Sequence, residues 1–315
     1  MGDLELTNKA TSKFSIPIIA SILAIFCSFL RGSAFPAIKL GYQLFNIESS
    51  NISAQLYFAG IRFLISGLLL VGFYYLPRKR DEKTQSLKSL NLNQWKKIVV
   101  LALIQTFFHY YFHYQGLSIT SGAKASIINS LTVFFAFILS HLLFTNDQIS
   151  LKKILGLVAG FVAVVLVNWT PQLGYSFNFY GEGFLIVASF FASLGSVYSK
   201  RASNSVQPIL LAGLQLFIGG ILLLTVSFFL GVSVPKSNLL GYSLLLYLSL
   251  LSALVLSIWT TLIKHNKVTS ITVYYFLNPI FGSLLSVIIL GESIFNISFL
   301  ISTVAVAVGI YLVNR

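Results

Sequence analysis

Carboxylates are scarce in this chain, and none lies deep in an apolar stretch. Asp3, Glu5, Glu48, Asp81, Glu82, Asp147, Glu182 and Glu292 fall in the tail, in gaps or at the ends of apolar blocks. Glu182 and Glu292 read as solvated, capping or gating residues at outer helix ends, not as a paired acid/base site. Cysteine is almost absent as well. Cys27 is the single one, so no disulfide can form within the chain and the redox compartment is unreadable. Charged residues make up 9%, against roughly 25% in a soluble domain. That is too few to cover a water-facing surface of this size. No phosphate-cradling glycine loop, zinc-ligand spacing or nucleophile elbow is present. No catalytic residue, metal site or cofactor is therefore expected.

What is there is apolar and comes in long blocks. Hydrophobic residues are 56% of the 315. A helix needs ~20 mainly apolar residues to cross a hydrocarbon core of ~30 Å. Ten such blocks can be marked, at 15–38, 54–76, 97–116, 121–144, 153–169, 180–199, 207–230, 240–263, 269–290 and 295–313. The first is too long for a signal-peptide core and is expected to stay as a helix. The gaps are short, and only the tail 1–14 and the loop 77–96 extend well into water. The expected fold is all-α and integral to a membrane, with ten transmembrane helices.

The net charge of +13 does not point to nucleic acid, because of where the charges fall. Cytoplasmic loops collect Lys and Arg. With the N-terminus inside, the inner segments hold Lys9, Lys13, Arg78, Lys79, Arg80, Lys83, Lys88, Lys96, Lys97, Lys152, Lys153, Lys200, Arg201, Lys264, Lys267 and Arg315. Lys39, Lys124 and Lys236 fall outside, and Arg31 and Arg62 lie within helices. The bias recurs in every inner loop. It predicts cytoplasmic termini and an even helix count, with anionic lipid as a secondary partner.

The chain also repeats itself. Ala59-Gly60-Ile61-Arg62-Phe63-Leu64-Ile65-Ser66-Gly67-Leu68-Leu69-Leu70 shares six of twelve positions with Ala212-Gly213-Leu214-Gln215-Leu216-Phe217-Ile218-Gly219-Gly220-Ile221-Leu222-Leu223. Leu166-Val167-Asn168 ends one half, and Leu312-Val313-Asn314 stands almost at the end of the other. Each half holds five blocks. Five is odd, so the second half enters the membrane from the opposite side. The expected organisation is a tail (1–14), a first five-helix repeat (15–169), an outer linker (170–179) and a second, inverted five-helix repeat (180–315). Inverted repeats build many secondary transporters, with the substrate site near the midplane.

Gly32-Ser33-Ala34-Phe35-Pro36-Ala37-Ile38-Lys39, Ala59-Gly60-Ile61-Arg62-Phe63, Asn278-Pro279-Ile280-Phe281 and Leu290-Gly291-Glu292 resemble, in order and spacing, the EamA-like branch of the drug/metabolite transporter superfamily. The resemblance covers nearly the whole chain. It implies a ten-helix carrier of two inverted repeats that exports a small metabolite or drug. Exchange or import of an anionic, carboxylate, phosphorylated or nucleotide-type compound is the alternative. A membrane-embedded enzyme and a non-transporting scaffold are rivals of another class. The chain departs from the family pattern at Leu131-Thr132-Val133-Phe134, where a proline is frequent. It departs again at Thr145-Asn146-Asp147, in place of Gly-Glu, and at Arg31, in place of a tryptophan.

Polar residues inside apolar helices are the candidate site. A charge in the bilayer interior costs at least ~2.5 kcal/mol, so it faces protein or water. Arg31 is either an anion-binding residue or one that snorkels to the outer interface. Gln105, His109 and His113 recur at i, i+4 and i+8 and so share a face. They read as cavity lining, with His109 first and His113 second as carriers of a coupling proton. Ser126, Asn129 and Thr132 share a face of the fourth block. Tyr274, Tyr275 and Asn278 come from the ninth, and Pro36 and Pro279 are candidate hinges. Trp259 reads as an ordinary core tryptophan. Arg62 and its repeat counterpart Gln215 read as structural polar residues. The partners expected are a small-molecule substrate, membrane lipid and the proton as candidate coupling ion, with no nucleic acid and a homodimer left open. The expected location is the plasma (cytoplasmic) membrane of a bacterium, as a multi-pass protein.

Overall fold

The computed structural model describes residues 12–48, 50–76, 85–120, 122–169, 177–290 and 297–315. Glu292, the basic run at 78–83 and most of the linker lie outside the described residues. Every regular element among the described residues is helical. In chain order they are α1 (Pro17–Leu44), α2 (Ile52–Tyr75), α3 (Leu92–Leu101), a π-helical segment (Ala102–Phe108), α4 (His109–Ile119), α5 (Gly122–Asn129), α6 (Leu131–Leu143) and α7 (Leu151–Asn168). A π-turn (Phe179–Gly183) leads into α8 (Phe184–Ala202). Then come α9 (Pro208–Phe229), α10 (Leu239–His265), α11 (Val268–Thr272), a 3₁₀ turn (Val273–Phe276), α12 (Leu277–Leu290) and α13 (Ile297–Asn314).

Eight of these helices or helix runs are long and apolar enough to cross a membrane, and α13 adds a shorter one. The run Leu92–Ile119 is the third expected span, divided by its π segment. Several expected boundaries move. α1 continues through Pro36 to Leu44. The third span starts at Leu92, not 97, because Asn91 and Gln94 form a reciprocal capping box with 2.9 Å bonds in both directions. The fourth span breaks at Ser130 into α5 and α6. The ninth is a short helix, a 3₁₀ turn and a helix in succession. Side-chain oxygens of Asn51, Ser150 and Asn238 cap α2, α7 and α10, holding backbone donors that would otherwise be orphaned at the helix ends.

The burial pattern is the reverse of that of a soluble protein. Ile18, Leu142, Leu151, Phe229 and Leu239 are exposed, while Arg62, Ser66, Gln105, Ser193 and Gln215 are buried. An apolar belt therefore faces outward, and polar groups are satisfied between helices.

Pairing between helices runs across the two halves. α2 packs on α9, α7 on α13, and α1 on both α10 and α12, while α8 packs on α6 and α4. α2 and α9 are antiparallel: Ser227 Oγ, late in α9, donates to Ser53 O at the start of α2 (2.8 Å), and Tyr74 Oη, late in α2, donates to Gln207 at the N-cap of α9 (2.9 Å). α1 and α10 are antiparallel too. Asn266, after α10, bonds Phe14 O before α1, and Ser237, before α10, bonds Leu44 O at the end of α1. Gly156 in α7 meets Gly309 and Val313 in α13, again head to tail.

Candidate functional site

Between the two halves lies a cavity of about 210 Å³. α1, α2, the π segment, α4, α5 and α6 line it from one side, and α8, α9, α10, the 3₁₀ turn and α12 from the other. Arg31, Gln105, His109, His113, Ser126, Asn129, Thr132, Tyr275 and Asn278 all reach it, as do Arg62 and Pro279. Polar side chains on apolar helices have no favourable lipid-facing orientation, which drives them to the protein interior.

Arg31 does not run to the far interface. Its guanidinium carbon lies 4.9 Å from the Trp259 ring and 4.8 Å from the Tyr275 ring. Those two rings stack at 4.5 Å with 21° between their planes. Trp259 sits near the C-terminal end of α10, which runs antiparallel to α1. The Arg31 side chain therefore points back towards the start of α1, as helical side chains do. Trp259 is a core tryptophan, 1% exposed, and its ring also meets Arg31. The Arg31 Nε has no hydrogen-bond partner among the described residues.

Arg62 is held differently. Its Nε donates to Ser252 Oγ of α10 at 2.8 Å, and its guanidinium lies 5.3 Å from the Phe63 ring. Ser66, one turn on, donates to Arg62 O and to Ser249 O of α10. Arg62 thus joins α2 to α10 while bordering the cavity. Gln215, its repeat counterpart, is fully buried in α9, and neither amide atom finds a partner among the described residues. Nothing in the structure explains that orphaned amide.

The π segment shapes the histidine face. The His109 N–H reaches five residues back to Ile104 O, and its ring Nδ1 lies 3.3 Å from Gln105 O. A carbonyl only accepts, so Nδ1 carries the proton and Nε2 is the open ring nitrogen in the neutral form. The His109 and His113 rings are 5.8 Å apart. Sequence periodicity alone gives no warning of a π segment, which is common at functional sites.

Pro36 lies inside α1, where it removes a backbone donor. Pro279 lies in the first turn of α12, immediately after the 3₁₀ turn, where a missing N–H costs little. The interruption of the ninth span is therefore the 3₁₀ turn itself. Tyr274 turns away, its hydroxyl bonded to Ser21 at 2.7 Å. Sequence reasoning did not single out the apolar part of the wall, which includes Phe63, Leu216, Leu251, Val255 and Leu256. Those residue types are the same as the ones facing lipid.

Polar contacts bridge the halves at both ends of the bundle, through an ion pair at one end and through hydrogen bonds to a buried carboxylate at the other. Glu182 is buried, not solvated: it accepts from Lys124 Nζ of α5 at 2.8 Å and from Asn178 N at 2.8 Å. At the end that carries the termini, Asp147 is 1% exposed. It accepts from Lys153 Nζ at 2.7 Å, from Thr269 N of α11 at 3.0 Å, and from Thr269 Oγ1.

Comparison with known proteins follows the same lines. The WAT1-related protein At3g02690, chloroplastic, of Arabidopsis thaliana is 27% identical over 298 residues, covering 91% of this chain and 67% of that protein. The uncharacterized transporter YvbV of Bacillus subtilis is 29% identical over 268 residues and 83% of each chain. The uncharacterized inner membrane transporter YedA of Escherichia coli K12 is 24% identical, over 94% of this chain and 92% of that protein. A solved crystal structure superposes with a TM-score of 0.73 at 16% identity, covering 93% of this chain and 96% of that one, a likeness of fold alone. The profile of the EamA-like transporter family matches twice, at residues 18–169 and 179–315. The chain belongs to the EamA-like transporter family and is a multi-pass membrane transporter.

Proposed function

We propose that the chain is a secondary carrier that moves a small solute outward by alternating access, with the cavity as the solute site. The observation that carries this reading is the position of the cavity: both halves line it, and separate polar clusters join the halves at either end. A solute site between two such closures is what alternating access requires. The antiparallel pairings of α2 with α9 and of α7 with α13 support an inverted repeat of 15–169 and 180–315. Two similar halves can exchange conformations at nearly equal energy, one opening inward and the other outward. No nucleotide-binding motif is present, so an ion or solute gradient supplies the energy. The cavity volume lies below the ~300–1,000 Å³ of sites for drug-sized ligands, which favours a small metabolite.

His109 is the proposed carrier of a coupling proton. Purified protein in liposomes should accumulate solute when a pH gradient is imposed. His109→Gln should abolish that accumulation yet leave exchange at equal pH. Accumulation by the variant would remove His109 from the coupling role. Wild type that ignores the gradient is a facilitator driven by the solute gradient alone.

Orientation is proposed from the loop charges: termini in the cytoplasm, in a bacterial plasma membrane. Cys27 is fully buried and silent to labelling. An impermeant maleimide added to intact cells should modify Ser233→Cys and spare Ser86→Cys, both positions being exposed. The reverse pattern would invert the topology.

A further inference from the structure

We infer that the solute is a small organic monoanion, whose carboxylate lies against the guanidinium edge of Arg31 and whose apolar part lies against the Phe63–Leu251–Val255 wall. This rests on the cavity being the carrier's solute site.

Charge is the first ground. The cavity holds two guanidiniums, and among the described residues no Asp or Glu lines it. The described carboxylates that pair with lysine, Asp147 and Glu182, sit at the two ends of the bundle. No acid lies deep in any apolar block of the whole sequence. Uncompensated cations in a low-dielectric interior attract an anion and repel a cation. A zwitterion would bring an ammonium with no carboxylate to meet it.

The second ground is the way the two arginines are held. Arg62 commits its Nε to Ser252. Arg31 has its guanidinium carbon 4.9 Å from the Trp259 ring and 4.8 Å from the Tyr275 ring, and its Nε has no partner among the described residues. Aromatic rings hold a guanidinium without consuming its in-plane N–H groups. The result is a weakly hydrated fork whose Nε donor has no partner among the described residues, and the geometry that fork matches is a carboxylate.

Size and lining are the third ground. About 210 Å³ suits a small acid better than a nucleotide-type compound. No lysine among the described residues lines the cavity, so a doubly charged phosphate would lack the extra cationic donors it needs. Gln105 and Asn278 each have an unpartnered carbonyl oxygen. Either amide can turn to present its NH₂ to the second carboxylate oxygen.

The test uses full-length protein in detergent, with binding read as thermal shift and equilibrium dialysis. The probes are straight-chain and aromatic monocarboxylates, their primary amides as uncharged isosteres, and the corresponding amines. At least one carboxylate should bind, with its amide and its amine weaker by about 10- to 100-fold. Arg31→Gln should lose that preference, and Arg31→Lys should keep part of it, since the charge stays but the planar fork is lost. The Lys variant and a monodisperse elution profile guard against mere misfolding. Equal binding of acid and amide would overturn the inference. So would unchanged binding by Arg31→Gln, or a panel in which no carboxylate binds. A carboxylate that binds but is never transported in liposomes would defeat the carrier reading and leave only the carboxylate site at Arg31 standing. Flux of an uncharged solute that Arg31→Gln leaves intact would do the opposite.

Discussion

Asp147→Asn is expected to destabilise the purified protein by about 3–5 kcal/mol, the cost typical of removing one partner from a buried ion pair. The reason is what the substitution leaves behind. Asp147 is 1% exposed and takes three donors, from Lys153 Nζ, Thr269 N and Thr269 Oγ1. The Lys153 side chain is 9% exposed, and its ammonium also donates to Gln148 O. An asparagine keeps the shape and can still accept from Thr269. It removes the countercharge from a buried ammonium. Thr269 lies in the second half of the chain and Asp147 in the first, so the loss also loosens a junction at the end that carries the termini. Lys153→Met should cost less than Asp147→Asn, because Asp147 retains both Thr269 donors. The double variant should recover part of the loss, since no unpaired charge then remains. Melting in detergent, followed by tryptophan fluorescence, gives the three values. Strict additivity of the two single effects would mean the pair has no mutual energy in this setting. If alternating access breaks this junction in each cycle, the double variant should also show altered exchange rates in liposomes while remaining folded.

What the sequence made legible is what lipid forbids. Gln105, His109, His113, Ser126, Asn129 and Thr132 stand out because each is polar in an apolar run, and their spacings of three and four place them on shared faces. Burial follows from that polarity, and the packing of the helices brings these six together on one cavity. The helices are legible for the same reason, since their length and apolarity match a bilayer. The rest depends on which helix lies beside which. Trp259 is a core tryptophan, and its contact with Arg31 shows only once α10 is placed antiparallel to α1. The apolar wall cannot be told from the lipid face, because Phe63 and Leu251 are residue types that either surface uses. Asp147 and Thr269 are 122 positions apart, and no local pattern links them. Glu182 suggested a solvated helix end, and only the neighbouring Lys124 and Asn178 make it a buried one. The π segment at Ala102–Phe108 is a matter of hydrogen-bond register, which composition does not encode.

Gly67→Ala should lower stability by roughly 1–3 kcal/mol, the usual cost of forcing an extra carbon into a packed core, although alanine is the better helix former. Gly67 lies at the crossing of α2 and α9. A Cβ there would intrude on Phe217 N and stand 2.7 Å from Phe217 Cα and Cβ. The obstacle is backbone, which cannot rotate aside as a side chain does. Across the same contact, a Cβ on Gly220 would lie 2.6 Å from Leu64 N and 2.9 Å from Gly60 O. Glycines on both helices thus let two backbones meet, which is how membrane helices gain packing contact when water cannot drive them together. The sign of the effect can be isolated within one helix. Gly72, also in α2, has nothing within 4 Å of its built Cβ. Gly72→Ala should therefore leave the packing untouched and gain up to ~1 kcal/mol from helix propensity. Gly67→Val should be worse than Gly67→Ala, and because α2 carries Arg62 into the cavity wall, it should depress solute flux along with the melting temperature. Melting curves of the three variants in one detergent test the argument. Equal shifts for Gly67→Ala and Gly72→Ala would mean that propensity, not the close approach of α2 and α9, governs the glycines of this helix.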